Sequence, residues 1–115
     1  MKVSFEGIGE SVVTFYNSKT AAAGAGNPVK ISGNGEVSVC ADGDRFFGVA
    51  LACDSDFAAI QMGGYVELGY TGTAPAVGFR KLVSNSTGGV ITAETGREFL
   101  VVDVDTVSKT IGLML

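Results

Sequence analysis

The second half of this 115-residue chain repeats features of the first half. Three matches recur at offsets of 51, 53 and 51 residues: 29–34 with 80–85, 42–49 with 95–102, and the pair Ile60 and Met62 with Ile111 and Leu113. A repeat of this length identifies the folding unit before any secondary structure is assigned. The matched positions are turn and core residue types: Asn34 with Asn85, Gly43 with Gly96, Phe46 with Phe99, and Val49 with Val102. The repeat therefore predicts two similar units that share one core.

Each unit reads as a series of short strands. Val29 and Ile31 alternate with Lys30 and Ser32, the period of two that gives a strand one buried face. Turn residues separate such runs about every 8–12 positions, which is typical of a sandwich or barrel. We predict an all-β fold, a small β-barrel or β-sandwich built from two similar β units, with an N-terminal arm or strand.

The same pattern suggests how a single domain, 1–115, is divided. We expect an N-terminal arm or strand and loop over 1–27, a first β unit over 28–62, a connecting strand and loop over 63–79, and a second β unit over 80–115. Within the second unit, alternation predicts that Leu100, Val102 and Val104 share one face of a strand.

Charge and composition exclude several classes of function. The net charge is −4 and the eight Lys and Arg residues are scattered, whereas a nucleic-acid site needs clustered cations. No apolar run approaches the roughly 18 residues of a membrane helix. Glu6 stands where a secretory signal would be apolar, so we expect synthesis in the cytoplasm with reduced thiols.

No group of residues predicts a catalytic centre. Histidine is absent, which removes the usual acid–base group near neutral pH. Cys40 and Cys53 lie in apolar strand-like runs and are interpreted as small core residues. Three carboxylate pairs lack the spacing of a calcium loop and are interpreted as turn residues: Asp42 with Asp44, Asp54 with Asp56, and Asp103 with Asp105. We therefore expect no enzyme activity, no cofactor and no metal.

Four aromatic residues leave a second function open. Phe15, Tyr65, Tyr70 and Phe79 could form a platform for sugar rings, although aromatic residues in a small β domain more often fill the core. The alternative function is therefore a stand-alone carbohydrate-binding or adhesion β domain, in which Tyr70 would carry ligand binding.

Several segments, in their order along the chain, resemble a family of small head decoration, or capsid-cementing, proteins of tailed bacteriophages and prophages. The resemblance lies in turn and strand motifs that cover most of the chain: 9–15, Gly26-Asn27-Pro28-Val29, Phe47-Gly48-Val49-Ala50, 66–78, 96–105 and 109–112.

The resemblance implies a protein that binds the outer surface of the major capsid protein shell and stabilises it. It implies a location on the virion exterior after synthesis in the bacterial cytoplasm, and a homo-oligomer, with a trimer favoured. It also implies an N-terminal arm that contacts the shell, over residues 1–15, for which Lys2, Val3 and Phe5 are the expected contacts. It transfers no catalytic residue.

Overall fold

Ten β-strands form the described part of the chain in a computed structural model that describes residues 11–115. The prediction of an all-β fold is confirmed. The strands are β1 (Ser11–Asn17), β2 (Pro28–Gly33), β3 (Glu36–Val39), β4 (Gly48–Cys53), β5 (Phe57–Gly63), β6 (Tyr65–Gly69), β7 (Gly78–Ser84), β8 (Val90–Thr92), β9 (Arg97–Asp105) and β10 (Thr110–Met114).

The ten strands form two five-stranded sheets of the same topology. The first sheet has the order β1-β3-β2-β4-β5 and closes into a barrel, because β1 also pairs with β5. The second has the order β6-β10-β9-β7-β8, and a single parallel bridge between Tyr70 and Val90 links its two ends. When the strands of each sheet are numbered from its own first strand, the order of the first sheet is 1-3-2-4-5 and that of the second is 1-5-4-2-3. With their ends joined, the two orders are the same ring read in opposite directions. Both include a parallel contact between the segments of the first and third strands. The prediction of two similar β units is confirmed.

The boundary between the units differs from the predicted one. β1 belongs to the first barrel and β6 is the equivalent strand of the second sheet, so neither lies outside the repeat. Segment 63–79 is thus more than a connection, because it contains β6, the first strand of the second unit. The chain turns between the two units at Gly64, which has a φ of 85°. The first-strand segments also match at an offset of 54 residues, Val12 with Val66 and Tyr16 with Tyr70.

The predicted shared core is wrong, because each unit encloses its own hydrophobic cluster. The first cluster is small and contains Ala23, Val29, Val37, Ala50, Ala58 and Ile60. The second contains Val66, Leu68, Tyr70, Leu82, Val90, Phe99, Val101, Ile111 and Leu113, together with Phe46 and Val49 from the first half of the chain. The first cluster is built mainly from strands of the closed barrel and the second mainly from strands of the second sheet, so each sheet packs its own core.

Phe46 and Phe47 connect the two cores. The Phe46 ring stacks on Phe99 of the second unit, with 4.7 Å between ring centroids and 10° between ring planes. Phe47 packs edge-on against Phe15 of the first barrel at 5.7 Å. Adjacent residues of an extended chain point in opposite directions, so this dipeptide places one ring in each unit.

The prediction that Leu100, Val102 and Val104 share one face of β9 is wrong, because the strand contains a bulge. Phe99 and Val101 are buried, whereas Leu100 and Val102 are only partly buried. The register shifts where Gly112 pairs with Asp103 and Leu113 pairs with Val101, which leaves one extra residue in β9. The bulge changes which residues face inward, and Val104 packs against the second core again.

Candidate interaction surfaces

The first strand leaves aliphatic side chains in contact with solvent. Val12 is 49% exposed and Val13 is 42% exposed. Both valines pair with buried positions of β5, Gln61 and Ile60, so the strand itself is held firmly in the barrel. The expected capsid contacts Lys2, Val3 and Phe5 lie outside the described residues, and Val12 and Val13 are within the same predicted arm.

An exposed aromatic pair lies at the other end of β1. Tyr16 and Phe57 are opposite each other on β1 and β5, and their rings stack with 5.6 Å between centroids and 27° between planes. Tyr16 is 59% exposed and Phe57 is 48% exposed. Strand alternation explains the arrangement, because it turns Phe15 toward the first core and Tyr16 away from it.

Two shallow grooves share this aromatic pair. One, of about 380 Å³, is lined by small and apolar neighbours, Thr14, Phe15 and Gly35. The other, of about 370 Å³, is lined by polar and charged neighbours, Asn17, Lys19, Glu36 and Asp56. The pair thus has an apolar side and a charged side.

An ion pair lies on the charged side. The Lys19 Nζ atom is 2.5 Å from Asp56 Oδ1 and donates to the backbone carbonyl of Ser55 at 2.6 Å. Both side chains are about two-thirds exposed, so the pair adds little to stability, on the order of 0–1 kcal/mol. Its polar atoms remain accessible to a ligand.

The turn before Phe57 is held by Asp54. Its Oδ1 atom accepts hydrogen bonds from the backbone N–H groups of Asp56 and Phe57, at 2.8 and 2.7 Å. The hydrogen bonds from Phe57 and then Asp56 hold the pKa of Asp54 below its usual value. The buried Asn17 side chain donates to the Asp54 carbonyl at 3.0 Å and so ties this turn to the end of β1.

In each of the other two carboxylate pairs, one member holds a turn. Asp44 Oδ2 accepts from Lys30 Nζ at 2.6 Å and from the backbone N–H of Ala41 at 2.8 Å. The hydrogen bond with Lys30 lowers the pKa of Asp44 and raises that of Lys30. Asp105 Oδ1 accepts from two backbone N–H groups of its own turn. Between Ser11 and Leu115, no three potential metal ligands of the His, Cys, Asp and Glu types cluster together.

The two cysteines are free thiols that pack against different cores. Cys40 packs against the second cluster and Cys53 against the first. Burial raises the pKa of Cys40 to about 11, so its thiol is protonated at neutral pH and is a poor nucleophile. The interpretation of both residues as core-packing side chains is confirmed.

The four aromatic residues expected to form a sugar platform are not brought together. Tyr70 is buried in the second core, and Phe15 packs on Phe47 in the first barrel. Tyr65 is partly buried, with its hydroxyl donating to Glu67, whereas Phe79 is 62% exposed on β7. The core interpretation, which the sequence favoured, is confirmed for Tyr70, and this set does not form the alternative platform. The alternation that places Phe15 inside was the signal for an exposed Tyr16.

Comparison with known proteins gives no assignment, since no family model and no curated protein matches the chain. Among the residues from 11 onward, no helix is long and apolar enough to cross a membrane. The function is therefore argued from these surfaces and from the resemblance of the quoted motifs.

Proposed function

We propose that this protein is a structural, non-enzymatic component of a phage-like virion that binds the outer surface of the capsid shell and stabilises it. The observation that carries the proposal is the exposed aliphatic start of β1, Val12 and Val13, within the predicted contact arm. The resemblance to head decoration proteins supplies the partner, the major capsid protein.

The energetics of such a contact are favourable. Full burial of a valine side chain contributes roughly 1.5 kcal/mol, and both valines still have close to half of their surface to bury. A contact of this size is weak for one copy. A protein that occupies many sites on a shell, or that binds as the proposed trimer, gains affinity because its contacts act together.

The closed first barrel suits a protein present in many copies. β1 pairs with β5 along most of its length and with β3 at Tyr16 and Asn17, which closes the first sheet. Open edges invite uncontrolled strand pairing between copies, and closure reduces the edge that is available for it.

Co-sedimentation tests the proposal. Purified protein is mixed with empty shells of the proposed partner, the major capsid protein, and the bound fraction is measured for three variants. We expect the deletion of residues 1–6 and the double variant Val12→Asp/Val13→Asp each to weaken binding at least tenfold, because each removes apolar contact surface.

Val107→Asp is the matched control, since Val107 is 94% exposed on the β9–β10 turn, and it should bind as the wild type does. Failure of the wild-type protein to sediment with the shells would refute the proposal. Unchanged binding by the valine double variant would remove β1 from the contact.

A further inference from the structure

We propose that the stacked pair Tyr16 and Phe57, with its charged groove, is a binding site for a neutral sugar ring. The function is distinct from shell binding and uses the opposite end of β1. It also differs in position from the aromatic platform that the sequence suggested.

The aromatic pair has the properties that sugar recognition requires. A pyranose presents an apolar C–H face, which packs on an aromatic ring, and hydroxyl groups around its rim. Tyr16 and Phe57 are both about half exposed, although large aromatic side chains are usually buried in a small domain. Their stacking at 5.6 Å fixes both rings in place, so little conformational entropy is lost on binding.

Hydrogen-bonding groups surround the rings on the charged side. Carboxylates of Asp56 and Glu36 can accept from adjacent hydroxyl groups, and the Lys19 ammonium can donate. Ser32 Oγ donates to Glu36 Oε1 at 2.8 Å, which orients that carboxylate. Two carboxylates and one ammonium leave a net negative charge, so this groove favours a neutral sugar over a sialylated or sulfated one.

The size and shape of the groove suit one or two rings. Its volume of about 370 Å³ lies at the lower end of the range for small-molecule sites, roughly 300–1,000 Å³. It is shallow and open, so we expect a dissociation constant in the millimolar range.

An extended peptide fits this site less well than a sugar. Peptides bind β proteins most simply by adding a strand to a free sheet edge, whereas at the aromatic pair β1 is already paired on both edges, with β5 and, at Tyr16 and Asn17, with β3. The geometry thus favours a ligand that is recognised through a ring face and a polar rim.

The test uses isolated protein without capsid shells, so its outcome is independent of the capsid proposal. Maltotriose, lactotetraose, mannobiose and 3′-sialyllactose are titrated separately into ¹⁵N-labelled protein and followed by NMR. We expect at least one neutral sugar to shift amide resonances at Tyr16, Glu36 and Phe57, while 3′-sialyllactose binds more weakly.

Tyr16→Ala and Phe57→Ala should each weaken binding roughly two- to tenfold, because an aromatic contact contributes on the order of 0.5–1.5 kcal/mol. The double variant should show no binding. Phe79→Ala is the control, since it removes an equally exposed ring from the second unit, and should leave binding unchanged. Amide spectra establish that each variant is folded, and a leucine substitution at the same position replaces any alanine variant that is not.

Three results would overturn the proposal: no shift with any neutral sugar, shifts that persist in the double variant, or tighter binding of the sialylated sugar. A wild-type dimer that dissociates in Tyr16→Ala would also overturn it, because the pair would then be a contact between copies of this chain.

Discussion

At the residue scale, the same amino acid has different roles at matched positions of the repeat. Asn85 is buried, and its Oδ1 atom accepts from the backbone N–H groups of Thr87 and Gly89 at 2.9 and 2.8 Å. Its Nδ2 atom donates to the carbonyl of Val90 at 3.1 Å. Asn34, the matching residue of the first unit, lies exposed in the β2–β3 turn. One asparagine holds a buried loop together and the other only occupies a turn.

Replacement of these two residues should therefore give unequal effects. Asn85→Ala removes the side-chain partner of the buried Gly89 N–H, of the partly buried Thr87 N–H and of the Val90 carbonyl, and we expect a loss of roughly 1–3 kcal/mol in the free energy of unfolding. Asn34→Ala should change it by less than about 0.5 kcal/mol. Urea unfolding followed by circular dichroism measures both, and equal effects would contradict the assigned roles.

At the element scale, close approach of strands decides where glycine is required. A Cβ atom at Gly48, the first residue of β4, would lie 2.6 Å from the backbone oxygen of Gln61 and 2.7 Å from Ile60 Cγ2 in β5. At Gly33, the end of β2, the nearest atom would be 3.6 Å away, which is an ordinary contact. Neither residue has a positive φ, so the difference between them is one of space.

Gly48→Ala should destabilise the first barrel by roughly 1–3 kcal/mol, because the β4–β5 pair must separate to admit the methyl group. Gly33→Ala serves as the control and should leave stability within about 0.5 kcal/mol of the wild type. Thermal unfolding compares the two variants. If Gly48→Ala melted at the wild-type temperature, β4 would be able to move away from β5 without loss of stability, and the prediction would be wrong.

The β9 bulge shows at the same scale what a periodic pattern can miss. Residues 99–102 are apolar at every position, and the extra residue between the partners of Gly112 and Leu113 changes which side chains face inward. A bulge depends on the partner strand, and no property of the β9 residues alone reveals it.

At the scale of the whole molecule, a small closed barrel and a second five-stranded sheet are joined through few large side chains. Phe46 lies between β3 and β4 of the first unit but is buried in the second core against Phe99. Backbone hydrogen bonds reinforce the junction: Gly43 N–H donates to the Ser84 carbonyl, and Ser84 N–H donates to the Asp44 carbonyl, both at 2.8 Å. The two units are therefore expected to unfold together.

Phe46→Ala should cost about 3–5 kcal/mol and should weaken the cooperation between the units, because it leaves a cavity where they meet. Native-state hydrogen exchange measures this for amides of both sheets. We expect one opening free energy for both sheets in the wild type and two distinct values in the variant.

Phe79→Ala removes a ring of the same size from the surface and provides the control. If both sheets still opened with a single free energy in Phe46→Ala, other contacts would have to couple the units.

The sequence by itself determined the all-β class, the duplication and most strand positions, because alternation and turn residues act over a few neighbouring positions. It also indicated that the cysteines pack against the cores and that aspartates hold turns, because both roles follow from local chemistry. Only the tertiary structure decided that β1 and β6 are equivalent, that two cores exist in place of one, and that Tyr16 meets Phe57. These features depend on pairings between residues far apart in the chain, and such pairings are set by the packing of the whole barrel.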